Sequence, residues 1–151
     1  SYADVVRLAR TITVARLLAE QGNVTDPDVL CAALLHDTIE DTDTTVEELR
    51  LAFGDRVASI VLEVTDDKAL PKAERKQLQI DHAAGISAEA KLVKLADKIA
   101  NVGDILHSPP ADWSSDRKAE YFVWAGRVVN ELRGVNSPLE SVFDALIRDH
   151  E

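Results

Sequence analysis

Leu92-Val93-Lys94-Leu95-Ala96-Asp97-Lys98-Ile99-Ala100-Asn101-Val102-Gly103-Asp104-Ile105-Leu106 decides the fold class. Its apolar side chains cover most of a helix circumference, while Lys94, Asp97, Asn101 and Asp104 recur at spacings of three and four and form one polar stripe. That period excludes a strand. A helix so apolar is expected to be buried, and a carboxylate on its stripe must then meet a compensating charge. Upstream lies a second stretch of the same kind, Val29-Leu30-Cys31-Ala32-Ala33-Leu34-Leu35, which ends in His36-Asp37 and is followed by Glu40-Asp41. Two largely buried helices that both carry acidic groups can face each other around an ion.

Helix signals recur along the rest of the chain and no strand-like alternation of any length interrupts them, so the expected fold is all-α, a bundle of about seven to nine helices. Apolar spacing through Val5, Leu8, Ile12, Ala15 and Leu18 predicts a first helix over residues 4–20, ending near Gly22. Thr25 or Asp26 caps a second with Pro27 in its first turn, and this helix delivers His36 and Asp37 near its end. Thr38 to Thr45 is polar and reads as a turn. Thr44 with Glu47, or Thr45 with Glu48, offers a capping box for a short helix closed by Gly54. A helix with Val57, Ile60, Val61 and Val64 follows, broken by Asp66-Asp67-Lys68. Pro71 opens a charged helix that Gly85 stops. Ser87 starts the Asp97 helix, Ser108-Pro109-Pro110 ends it, and two helices close the chain over residues 114–133 and 138–150.

The 151 residues suffice for one domain, 1–151, with a core that needs no disulfide. No apolar run approaches the roughly 20 residues of a spanning helix, and no basic-then-apolar leader opens the chain, which predicts a cytoplasmic protein without a membrane partner. Cys31, the single cysteine, sits in an apolar helix and reads as a packed thiol. A net charge of −10 argues against a nucleic acid partner, which needs a basic face. A small anionic substrate stays open, because a bound divalent cation can dominate the local field.

His36, Asp37 and Asp97 make a mixed nitrogen and oxygen set that suits Mn²⁺, Fe²⁺, Zn²⁺ or Co²⁺ better than Ca²⁺. Such an ion polarises a phosphoryl oxygen and lowers the pKa of water. Glu40 and Asp41, one turn further on, are then assigned to proton transfer and water orientation. Each part also has a plainer reading: the His-Asp pair as a helix-end hydrogen bond, Glu40-Asp41 as a solvated turn, Asp97 as partner of Lys94 or Lys98. The coincidence of both stripes in apolar surroundings favours the metal.

The segment from Leu34 to Thr42, with His36-Asp37-Thr38-Ile39-Glu40-Asp41 at its centre, Gly54, Glu63-Val64-Thr65-Asp66-Asp67-Lys68, and Lys91-Leu92-Val93-Lys94-Leu95-Ala96-Asp97-Lys98 with Asn101 resemble the hydrolase domain of RelA/SpoT-type enzymes. Within that family the likeness is to the small stand-alone alarmone hydrolases, of which the metazoan SpoT homologue is one. It spans nearly everything after residue 12, including Trp113, Arg117, Tyr121 and Trp124. The resemblance implies an HD-type helical domain that holds one Mn²⁺ and removes the 3′-pyrophosphate of guanosine tetra- or pentaphosphate (ppGpp or pppGpp), leaving GDP or GTP. The family's metal positions fall on His36, Asp37 and Asp97, and its catalytic acidic pair on Glu40 and Asp41. Asn101 matches a site asparagine, and Lys72, Trp113, Arg117 and Tyr121 match positions lining the nucleotide pocket.

One departure stands at the amino terminus. Relatives supply a further metal-ligating histidine before the Ile-x-Val-Ala-Arg helix, here Ile12-Thr13-Val14-Ala15-Arg16, where this chain has Arg10-Thr11. His82, His107 and His150 read as caps or surface residues, and Arg10 stays protonated and cannot ligate. A further histidine in a segment between the first helix and Val14 is therefore expected in the functional protein. Two alternatives accompany the leading expectation: a related nucleotide phosphohydrolase such as an NADPH 2′-phosphatase, or a catalytically weakened nucleotide-binding or interaction domain of the same fold.

Overall fold

The structure is a computed structural model that describes residues 1–150; Glu151 and the side chain of His150, the latter expected at the surface, lie outside the described residues. Nine α-helices and no strand occur among the described residues. Tyr2–Arg16 (α1) runs on without interruption into a π-helical turn, Leu17–Gln21. Then follow Pro27–Leu35 (α2), Thr38–Asp41 (α3), Val46–Phe53 (α4), Asp55–Glu63 (α5) and Lys72–Ala83 (α6). Ala88–His107 (α7), Ser115–Asn130 (α8) and Ser137–His150 (α9) complete the chain.

The caps explain the boundaries. Asp26 accepts from the backbone N–H of Asp28 with Pro27 behind it, and Thr45, Ser87 and Ser114 accept from the third residue of α4, α7 and α8 respectively. Gly54 separates α4 from α5 at φ +95, a conformation that side chains resist, so the two helices can turn against each other there. The segment 38–45, expected to be a turn, is corrected in its first half. Thr38–Asp41 closes one helical turn, with Asp41 N–H donating to the Asp37 carbonyl and Thr42 N–H to that of Thr38. A single polar turn has no apolar period to betray it.

α7 is the central staff. It packs against α1, α2, α5, α8 and α9, and it buries Val93, Leu95, Ala96, Ile99, Val102 and Ile105. Each fully buried large aliphatic among these contributes about 1.5–3 kcal/mol. α9 closes over the π-helical turn: Asn136 Nδ2 donates to the Gly22 carbonyl at 2.9 Å, and a Cβ on Gly22 would stand 2.9 Å from Leu139 Cδ1. Cys31 is partly buried against the core, as a packed thiol should be. α2 and α5 flank α7, so the end of α2 is pressed against the middle of α7. That crossing brings His36 to Asp97.

Candidate functional site

His36 ends α2 almost wholly buried, 5% exposed. Its Nδ1–H donates to the Ala33 carbonyl at 2.6 Å, which turns Nε2 toward Asp37 Oδ1 and Asp97 Oδ1, each 3.2 Å away. Burial alone would lower the His36 pKa, but the hydrogen bond to Asp97 and the charges of both carboxylates push it up to about 9. The ring is therefore an imidazolium held between two carboxylates. Burial likewise works to raise Asp97, yet the His36 hydrogen bond and the Lys98 and Lys94 charges hold its carboxyl well below the usual range. Asp37 goes the other way, raised first by burial and then by the Asp97 and Asp41 charges, against His36 and Arg10.

That proton marks what the donor set wants. A neutral His36 would aim the Nε2 lone pair at two anionic oxygens, and only a cation between them relieves the repulsion. Bonds of about 2.0–2.2 Å to nitrogen and oxygen put neighbouring ligand atoms roughly 3 Å apart, close to the 3.2 Å found here. The Nδ1–H bond to Ala33 is the kind of backing that orients a ligating histidine. As they stand, no three His, Cys, Asp or Glu side chains among the described residues surround a common point in a way that would hold a metal ion. In chemistry, one imidazole nitrogen and two carboxylates, the residues suit a divalent transition metal, which a small closing movement of the carboxylates about His36 would admit.

Glu40, on α3, is half-buried beside this trio and accepts from the Asp66 backbone N–H. Burial raises its pKa, with the Asp66 and Asp37 charges adding to it against the Asp66 N–H bond and Lys94. A carboxylate so raised is a better proton acceptor than an ordinary surface one. Asp41 is turned outward into an ion pair with Lys68 at 3.0 Å, while its carbonyl accepts from Arg7. Both carboxylates line the same cavity of about 270 Å³ as His36, Asp37, Asp97 and Asn101.

The nucleotide-pocket candidates divide. Tyr121 and Trp113 pack ring against ring at 5.8 Å, and both line a neighbouring cavity of about 280 Å³ together with Asn101 and Asp104. Arg117 lies over the Trp113 ring at 4.2 Å on the exposed side. Lys72 stands exposed on the first turn of α6, borders neither cavity, and acts on Lys76, whose pKa burial, Lys72 and Arg117 together lower. His82 and His107 are exposed at helix ends, where caps and surface residues were expected.

Several residues of the site were not singled out from sequence. Lys98 is buried, 3.8 Å from Asp97 and stacked 4.3 Å from the Trp124 ring, with its pKa lowered to about 8 by burial and by Lys94. Lys76 also lies over this ring, at 4.6 Å. The signal for Lys98 was present, since it follows Lys94 by four residues and shares its stripe. Arg10 and Gln79 reach the acid cavity from α1 and α6; Arg10 was considered from sequence only as a failed metal ligand, and nothing in the sequence marks Gln79.

The family model described as HD domain matches residues 4–125. The chain belongs to the HD-domain family. Among relatives of this HD domain is a frog protein, guanosine-3′,5′-bis(diphosphate) 3′-pyrophosphohydrolase MESH1 of Xenopus tropicalis, 57% identical over 90% of this chain and 76% of its own length. The Homo sapiens protein of the same name is 53% identical over 91% of this chain and 76% of its own. The HD domain also superposes on a solved metazoan ortholog of SpoT, which hydrolyses ppGpp and plays a role in starvation responses. The TM-score is 0.92 at 47% identity, over 95% of this chain and 80% of that one. A Listeria monocytogenes EGD-e structure matches at TM-score 0.74 and 29% identity, over 92% and 91%. HD-domain hydrolases are metal-dependent, in line with the donor set above. No helix among the described residues is long and apolar enough to cross a membrane.

Proposed function

We propose that this chain is a Mn²⁺-dependent guanosine-3′,5′-bis(diphosphate) 3′-pyrophosphohydrolase that converts guanosine tetra- or pentaphosphate and water to GDP or GTP and pyrophosphate. The observation that carries the reading is the 3.2 Å meeting of His36 with Asp97, 61 positions apart, in a fold whose relatives at 53% and 57% identity bear that enzyme's name. Water adds to the phosphorus next to the ribose 3′-oxygen, the bond to that oxygen breaks, and the 3′-oxygen leaves with a proton.

His36, Asp37 and Asp97 would hold the ion, which when bound supplies Lewis-acid polarisation and a more acidic water. Glu40 takes the proton of the attacking water, a role supported by its half-burial and raised pKa. Its Oε1 is fixed by the Asp66 N–H, which leaves the second oxygen for the water. Asp41, tethered by Lys68, orients that water and later returns the proton. Asn101 Nδ2 donates to Asp97 Oδ2 at 3.3 Å and steadies the carboxylate. Lys94 and Lys98, buried in the wall, neutralise phosphate oxygens in a site where low dielectric strengthens the attraction. Tyr121 and Trp113 cover the nucleoside, while Arg117 and, from its exposed place, Lys72 meet the outer phosphates.

Purified protein stripped with EDTA and reloaded with Mn²⁺ tests the reading by release of GDP and pyrophosphate from guanosine tetraphosphate. Turnover restored by Mn²⁺ is expected; absence of turnover at any metal load refutes it. NADPH assayed alongside ranks the 2′-phosphatase alternative. One observation favours a second reading: Arg10, a fixed cation, lines the cavity where relatives are expected to place a fourth ligand. Nucleotide binding without turnover would make the chain a binding domain of the same fold.

A further inference from the structure

Arg10, Asn101 and Tyr121 line both the acid cavity and the aromatic cavity, and so form the sill between them. Two atoms of that sill lack partners: the buried Nε of Arg10 and the buried Oδ1 of Asn101. Buried polar atoms are nearly always satisfied, and each exception calls for an explanation. Arg7, Arg16, Arg50, Arg56 and Arg133 are each paired with carboxylates at the surface. The Arg10 guanidinium joins no ion pair among the described residues, and of the arginines without one it alone lines both cavities. It is near enough to Asp37 and Tyr121 to act on both through its charge.

We propose that Arg10 is a substrate-binding residue, gripping a phosphate of the nucleotide where it crosses the sill, with Asn101 Oδ1 accepting from the adjacent ribose hydroxyl. This rests on the nucleotide reading given above. A guanidinium is permanently charged, planar and rich in donors, a match for paired phosphate oxygens and useless as a metal ligand. Asp37, Glu40 and Asp97 line the acid cavity, with Lys94 and Lys98 buried in its wall; of the three cations Arg10, Lys94 and Lys98, only Arg10 also lines the aromatic cavity, where a nucleotide spanning the two would need one. An unpartnered donor and an unpartnered acceptor on residues that line the same two cavities suit a ligand that offers both an anionic oxygen and a hydroxyl, as a phosphorylated ribose does. A bare carboxylate or an apolar ligand would satisfy only half of the sill.

The test uses the whole chain, wild type against Arg10→Gln and Arg10→Lys, with Arg16→Gln on the same helix as control. Two quantities are measured: kcat/KM for guanosine tetraphosphate with Mn²⁺, and affinity for inorganic pyrophosphate by calorimetry in EDTA. Arg10→Gln should lower both by about 10- to 100-fold and flatten the salt dependence of pyrophosphate binding. Arg10→Lys, which keeps the charge but not the fork, should fall between, and Arg16→Gln should match wild type. Wild-type pyrophosphate affinity in Arg10→Gln overturns the proposal, as does absence of pyrophosphate binding to wild type at millimolar concentration. If Arg10→Gln fails to fold, wild-type affinity in folded Arg10→Lys overturns it instead. A wild type that turns over no guanosine tetraphosphate, while Arg10→Gln still loses pyrophosphate, sinks the functional reading and leaves Arg10 standing.

Discussion

Asp97→Asn strikes the contact on which the site depends, and the metal-free protein reports it through pH. His36 is raised from 6.5 to about 9 there, and at about 1.4 kcal/mol per pKa unit the imidazolium pairing contributes about 3 kcal/mol. With His36 only 5% exposed, little of this is screened by solvent. A folded pKa above the unfolded one means the contribution is complete below about pH 6.5 and is lost as pH rises through about 9. Asp97→Asn removes the hydrogen-bonded charge and leaves burial dominant, so the ring loses its proton. The variant should be about 3 kcal/mol less stable than wild type near pH 6, and the difference should close by about pH 9.5. Urea unfolding in EDTA across pH 6–10, with an NMR titration of the His36 ring, measures both. Parallel stability curves, or a wild-type ring titrating at or below 6.5, would refute the reasoning. The same proton competes with Mn²⁺, so metal affinity should rise with pH up to about 9 and binding should release a proton.

Glu40→Gln should retain Mn²⁺ by elemental analysis yet lose turnover by about 10²- to 10⁴-fold, because shape survives and the base does not; loss of the ion would put Glu40 among the ligands. Arg117→Ala should cut kcat/KM for guanosine tetraphosphate by a factor matching about 1.5–3 kcal/mol with the melting temperature unchanged, and wild-type kinetics would take Arg117 out of the pocket. Leu95→Ala empties a fully buried site on α7 and should lower stability in urea by about 2–5 kcal/mol. Gly54→Ala, with no heavy atom near the added Cβ but φ at +95, should lower it by about 1–3 kcal/mol through backbone strain alone; an unchanged midpoint would mean the α4–α5 joint can relax.

Helix boundaries were readable because their caps are written locally: Asp26-Pro27, Thr45, Ser87 and Ser114 all stand where the chain turns into a helix. The convergence of His36 with Asp97 was readable as a coincidence of two polar stripes on apolar helices. Lys94 and Lys98 were harder, since lysine ordinarily reads as surface and only the three-dimensional crossing of α7 with its neighbours buries them. Arg10 was weighed as a metal ligand and set aside, although α1 delivers it to the cavity in another capacity. Lys72, matched by position to the pocket, stands on the open face of α6 beyond both cavities. Sequence position fixes which helix carries a side chain, while its reach depends on how far that helix leans over the site.

α7 presents its core face and its site face at once, with Leu95 and Ile99 inward and Asp97 and Asn101 toward the cavity. Removing one residue between Ser87 and Lys94 would rotate everything beyond it by about 100° and draw it back about 1.5 Å. Asp97 would swing into the place of the fully buried Ala96, and Lys98 would stand before His36 instead. Adding four residues would rotate the same portion by only about 40°, but would push Asp97 a full turn past its mate. The length of this helix is thus locked to the site as the teeth of a key are to its shank. Variation in length belongs to segments such as residues 108–114, where no register is kept.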